Sequence, residues 1–195
     1  MNKSYVRRWM SVQKLLLITG DIAAGKTTFS DILSERYRVA VFQKDTIKEI
    51  LGDYIGFHNR EENKILSNTT IELMCHVFSR IASTGNSVIL EANFHESELK
   101  KLHAIAHENH YEVLTIVLRG DAEVLYHRYL HRMNEENRHP VHLSTTLDVK
   151  EDFVRSAEWN RKEKVVGEVM TIEASDFSYQ EDPTVLGRID SFMGT

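Results

Sequence analysis

The chain has 195 residues, of which 42% are hydrophobic and 27% charged, with one cysteine and a formal net charge of −5. This is ordinary globular usage, sufficient for a sizeable core in one domain. The acidic balance argues against a protein that coats duplex nucleic acid or anionic membrane by bulk charge. A single Cys75 excludes an intramolecular disulfide and a thiolate metal cluster, as befits a reducing cytoplasm.

Residues 1–13, MNKSYVRRWMSVQ, put basic residues ahead of an apolar run, but that run is only Leu15 to Ile18. It is too short for a signal peptide, so residues 1–13 read as a leader to one domain that continues to residue 195. Nothing approaches the length of a membrane span. Leu15 to Thr19 is a buried-strand candidate, and Phe29, Ile32, Leu33 and Tyr37 then recur at helical spacing. YRVAVFQKD, Tyr37 to Asp45, is β-branched and aromatic and predicts a second strand, followed by a mixed region to about Arg60. From Leu66 to Ile81 a 3.6-residue period predicts a long helix, stopped by STGN at Ser83 to Asn86.

SVILEAN (Ser87 to Asn93) and YEVLTIVLRG (Tyr111 to Gly120) predict the third and fourth strands, with a helix between them from Glu96. A helix after Gly120, with Asp121 as N-cap candidate, runs toward Asn137, and RHPVHLST interrupts before a further helix from Leu147 to Asn160. EVMTIEA is a fifth strand, and DPTVLGRIDSFMG a closing helix. Strands separated by helical crossovers imply an α/β fold, a five-stranded parallel sheet covered by helices on both faces.

GDIAAGKT, Gly20 to Thr27, has the spacing of a phosphate-binding loop, the Walker A or P-loop pattern. A random chain of this length meets the pattern in roughly 1% of cases, and the strand before and helix after are the context the motif requires. The glycines let the backbone wrap a phosphate with its amides inward, and the following helix aims its positive end at the same place. Gly20, Asp21, Ile22, Ala23, Ala24, Gly25, Lys26, Thr27 and Thr28 are therefore the candidate phosphate-holding residues. Lys26 would reach the β and γ phosphates, and the Thr27 hydroxyl would complete the shell of a magnesium ion. DYIG (Asp53 to Gly56) and NKIL (from Asn63) imitate GTPase motifs in spelling only, because the first does not follow an apolar strand and the second lacks the aspartate.

From Leu15 to about Phe177 the sequence resembles the P-loop kinases of small molecules and nucleotides. The likeness is to the ATP-dependent, AAA-type ATPase-like group that includes polynucleotide 5'-hydroxyl kinases, chloramphenicol phosphotransferase and zeta-type toxins. The resemblance implies the P-loop containing nucleoside triphosphate hydrolase fold, a mobile lid at about residues 130–146, and ATP with Mg2+. In FQKDTIKEIL it implies Asp45 as general base on an acceptor hydroxyl and Lys48 as a substrate-binding cation. A carboxylate at a strand's C-terminal end faces the crevice where such sheets bind ligands, although Asp45 could instead cap the following helix. VILEANF resembles the third strand of the group, where Glu91 could hold magnesium through water and Asn93 could touch the acceptor. LRGDAEVLYHRYLHRMNEENRHPVH resembles the fourth strand, helix and lid. There Arg128, Arg132 and Arg138 would neutralise charge on the transferred phosphoryl group, the alternative being a solvated basic face.

Two histidine pairs, His103 with His107 and His127 with His131, are spaced for one helix face but lack a third ligand and read as solvated. The expectation is thus a kinase that transfers the γ phosphate of ATP to a hydroxyl of a small molecule or nucleotide. A nucleotide-binding regulator or slow ATPase, and a kinase of nucleic-acid 5' ends, stay open as alternatives. The acceptor's identity, the base preference and the oligomeric state have no signature in the sequence.

Overall fold

The computed structural model describes residues 12–135, 138–142, 147 and 149–194. The elements in chain order are β1 (Lys14–Gly20), α1 (Lys26–Tyr37), β2 (Ala40–Gln43), α2 (Lys44–Ile55), α3 (Arg60–Ala82), β3 (Val88–Glu91) and α4 (Glu96–Glu108). They continue with β4 (Glu112–Arg119), α5 (Ala122–Glu135), α6 (Lys150–Arg161), β5 (Glu168–Glu173) and α7 (Pro183–Met193). Short 3-10 turns lie at Pro140–His142 and Ser178–Gln180.

The five strands form one parallel sheet in the order β2-β3-β1-β4-β5. β1 is central, and its side chains alternate between the sheet's faces. Leu16 and Ile18 join a core with Phe29, Leu33, Leu125, Phe153 and Ile189, contributed by α1, α5, α6 and α7. Leu15 and Leu17 join the opposite core with Met74, Phe78, Leu99 and Leu102 from α3 and α4. Burial on both faces is why the central strands read as unbroken apolar runs. The order steps to opposite sides of β1 for β3 and β4, and the crevice opens there at the carboxyl ends of the strands.

The boundaries differ from the sequence expectation mainly around β2. The predicted nine-residue strand shrinks to Ala40–Gln43, with Tyr37 completing α1 and Lys44 starting α2. The mixed region beyond it is the helix α2. Ile47, Ile50, Leu51, Tyr54 and Ile55 recur in it at helical spacing, but its inward side carries Ile47, Lys48, Leu51 and Gly52 while Ile50, Tyr54 and Ile55 are exposed, so the apolar stripe is turned only partly inward. The lid expected at 130–146 is described only at 130–135 and 138–142, and the leader only at residues 12 and 13. Among the described residues no helix is long and apolar enough to cross a membrane.

Candidate functional site

β1 ends at Gly20, whose φ of 129° aims the chain back over β4. A Cβ there would lie 2.0 Å from the Leu118 carbonyl oxygen, so only glycine fits. The loop then passes Ala23 at φ 62° and Gly25 at φ 87° before α1 begins at Lys26. No side chain caps α1, so its first-turn amides stay available above the crevice. Two residues named from the sequence as phosphate holders divide their roles. The Lys26 ammonium donates to the carbonyls of Asp21, at 2.7 Å, and Gly20, at 3.3 Å. The Asp21 side chain points away beneath the loop, where it is buried and accepts from the Arg161 guanidinium and the Gly120 amide.

A cleft of about 660 Å³ extends from this loop across the ends of β1 and β3 to α2 and α5. Its donor end holds Ile22, Ala23, Gly25, Lys26, Thr27 and Thr28, with Arg128 and Phe177 at the lip. Its far end holds Asp45, Glu91 and Asn93, and Arg132 and Arg138 close it from the lid side. The structure therefore brings most of the expected site together. Asp45 lies in the first turn of α2 rather than at a strand end. It does not cap that helix, whose N-cap is Gln43.

Thr27 Oγ1 donates to Glu91 Oε2 at 3.3 Å. Glu91 is buried at the end of β3, and burial pushes its carboxyl above the usual range, while the Lys26 charge opposes that rise. Burial likewise lowers the Lys26 ammonium, against the pull of Glu91, Asp45 and Asp21. A hydroxyl, a carboxylate and a nearby second carboxylate are hard oxygen donors that fit Mg2+, held in part through water. The same residues offer no thiolate or clustered imidazole for a softer metal. Among the described residues no group of three or more His, Cys, Asp or Glu is placed to hold a metal by itself.

Two expected residues behave differently. Lys48 is buried outside the cleft lining, and its ammonium donates to the Val141 carbonyl at 3.3 Å. One helical turn from Asp45 puts it on the side of α2 that faces α3 and the Pro140–His142 turn, and burial lowers its pKa. Arg128 lines the cleft but donates to the carbonyls of Ala174, at 2.9 Å, and Ser175, and its guanidinium lies 4.0 Å from the Phe177 ring centre. Half-buried His103 on α4 packs against Gly167 rather than facing solvent, which corrects the solvated reading for that residue, while its partner in spacing, His107, is exposed.

The sequence reading missed several cleft residues: Lys44, Thr46, Glu49, His131, His142 and Phe177. His142 Nε2 meets Glu49 Oε1 at 2.8 Å, and His139 Nε2 meets Asp53 Oδ1 at 2.9 Å, so two imidazole–carboxylate pairs fasten the RHPVH turn to α2. The Val141 carbonyl between them also accepts from Asn63 at 2.7 Å. Asp53 and Asn63, the two GTPase look-alikes, thus serve as structural partners of this turn. Only the nearby RHP spelling hinted at any of this.

Among solved structures, the fold is similar to a candidate kinase of Chloroflexus aurantiacus, at 24% identity and a TM-score of 0.78 over 94% of this chain and 99% of that one. A shikimate kinase of Bacteroides thetaiotaomicron is similar at 16% identity and TM-score 0.56 over 95% and 100%. A gluconokinase of Sinorhizobium meliloti is similar at 15% and 0.57 over 92% and 95%. No curated protein matches in sequence. With the P-loop, the sheet order and the crevice in place, the family follows from the match of the AAA domain model AAA_33 to residues 15–155: the chain belongs to that family of P-loop proteins.

Proposed function

We propose that this protein is an ATP-dependent kinase that uses Mg2+ and transfers the γ phosphate to a hydroxyl of a small molecule or nucleotide, acting as a single domain. The observation that carries the reading is the placement of Asp45 in one cleft with the P-loop, Glu91 and the lid arginines. A nucleotide switch needs the loop and a metal site, but no carboxylate across the cleft at the acceptor end. The kinase names of similar folds agree with the reading.

The residues act mainly by positioning and charge. The loop amides and the α1 N-terminus hold the phosphates, and Lys26 turns from the Asp21 carbonyl toward the β and γ phosphate oxygens. The stacked Arg128 and Phe177 at the lip offer a flat face for the nucleotide base. Thr27 and Glu91 would hold the magnesium ion, whose contribution is to neutralise phosphate charge. Asp45 accepts the proton of the acceptor hydroxyl, Asn93 contacts the acceptor, and Arg132 and Arg138 draw off charge developing on the transferred group.

The test is transfer of label from γ-labelled ATP, with magnesium, to pools of nucleosides, nucleotides, sugars, hydroxylated antibiotics and 5'-hydroxyl oligonucleotides. Lys26→Ala serves as the blank. Label in one pool, absent from the blank, supports the kinase. Label confined to free phosphate in every pool overturns it in favour of an ATPase or regulator. Within a positive assay, Asp45→Asn keeps ATP affinity and loses roughly 10²- to 10⁴-fold in transfer, the usual range for a lost general base.

A further inference from the structure

The groups that hold the P-loop in shape come from an element far along the chain. Asp21, the second residue of the loop, is 3% exposed, and its three polar groups are all tied. Its amide donates to the Leu118 carbonyl at 2.8 Å, and its carbonyl accepts the Lys26 ammonium at 2.7 Å. Its carboxylate accepts Arg161 Nε at 3.1 and 3.2 Å, Arg161 Nη2 at 2.5 Å, and the Gly120 amide at 3.1 Å. Arg161 Nη2 also donates to the Gly120 carbonyl at 2.6 Å. One guanidinium therefore clamps the loop's first turn to the end of β4.

Arg161 is the last residue of α6, the helix that follows the lid segment. Two residues on, Glu163 accepts the Glu96 amide at 3.0 Å and meets His95 Nδ1 at 3.2 Å. The same chain turn thus also grips the loop after β3, which carries Asn93. We propose that Arg161 is a positioning residue. Through the buried Asp21 carboxylate it fixes the peptide whose carbonyl parks Lys26, and so sets the nucleotide affinity of the P-loop.

The inference rests on the nucleotide-binding part of the functional reading, not on phosphoryl transfer. A fork of planar donors suits this role better than an ammonium, because it engages the carboxylate and the Gly120 carbonyl together. A displacement of about 1 Å at such a site can cost on the order of a hundredfold in function.

The experiment measures the Kd of Mg-ATP by calorimetry, with melting curves, for wild type and for Arg161→Gln, Arg161→Lys, Asp21→Asn and the double variant Asp21→Asn/Arg161→Gln. Arg155→Ala is the control, since Arg155 sits on the same helix in an exposed pair with Asp152. Arg161→Gln is expected to weaken ATP roughly tenfold or more, with Arg161→Lys recovering part of the loss. The double variant should lose no more than the worse single one, because both act through the same peptide. Arg155→Ala should bind as wild type. Should Arg161→Gln fail to fold, Arg161→Lys carries the test. Lowered melting temperatures with ATP affinity unchanged in the Arg161 variants overturn the inference while leaving the functional reading intact. A wild type that binds no Mg-ATP overturns both.

Discussion

Replacing Gly25 by alanine tests the physical account of the loop most directly. The residue sits at φ 87°, and a Cβ would approach Tyr179 Oη to 2.8 Å and Phe177 Cε1 to 2.9 Å. Holding a residue with a Cβ in left-handed backbone costs roughly 1–2 kcal/mol. Yielding space displaces the Tyr179 hydroxyl from its bond to the Ala24 carbonyl, 2.9 Å long and buried, for about another 1 kcal/mol. The two effects total about 2–3 kcal/mol, and chains of this size lose roughly 2–4 °C per kcal/mol, so the melting temperature should fall by roughly 4–12 °C. If the loop relieves the strain by flipping the peptide instead, stability is spared. The amides then turn away from the phosphate position, and ATP affinity should fall at least about tenfold, the equivalent of 1.4 kcal/mol. Thermal unfolding and calorimetric ATP titration on one sample read both routes. Gly25→Ala with an unchanged melting temperature and unchanged affinity would refute the reasoning, since it leaves neither the strain nor the contact any effect.

Much of the fold was legible because its central strands are buried on both faces. LLLIT, VILE and LTIVL are runs that only the interior of a covered parallel sheet explains, and the P-loop sits where β1 must meet α1. The helix α2 was missed although Ile47, Ile50, Leu51, Tyr54 and Ile55 spell a helical period; what that spelling does not show is that Ile50, Tyr54 and Ile55 are exposed while Lys48 and Gly52 are buried. Gly52 is buried because the lid turn comes close. A Cβ there would meet His139 Cε1 at 3.2 Å, a constraint set by residues far along the chain. The site was legible where chemistry demands local spacing, as from Gly20 to Thr28. It was illegible where two distant segments supply one contact, as with Arg161 and Asp21, 140 positions apart. Lys48 shows the opposite failure. The family resemblance implied a substrate contact there, but the ammonium turns to the Val141 carbonyl and lies outside the cleft lining.

Tyr179→Phe should keep the edge contact with Phe29, 5.1 Å between ring centres, and lose the buried hydroxyl's bond to Ala24, lowering stability by about 1 kcal/mol in a urea titration. A loss above about 3 kcal/mol would mean that the hydroxyl orders more than that one carbonyl. Lys48→Met keeps the apolar stem and leaves the Val141 carbonyl paired with Asn63, so stability should change by less than about 1 kcal/mol and acceptor KM should hold. A steep rise in acceptor KM would instead make Lys48 a substrate contact. Glu91→Gln tests the cost of the buried charge through pH. Burial raises the folded-state pKa of Glu91 above that of the unfolded chain. Its favourable contribution is therefore fully present below the ordinary glutamate pKa, and is lost as pH rises through the raised value. Glutamine mimics the protonated form at every pH and retains an oxygen for the Thr27 hydroxyl. Lys26 lies beside Glu91, so the substitution also removes an attraction, which acts only while Glu91 is ionised and opposes the burial that still leaves the Glu91 pKa raised overall. Urea midpoints of nucleotide-free wild type and Glu91→Gln, compared from about pH 4 to pH 8, should therefore diverge as pH rises, with wild type losing ground relative to the variant. A difference that is flat across that range, or that moves in favour of wild type, would show that pairing with Lys26 outweighs desolvation, and that the carboxylate rests in the cleft without strain.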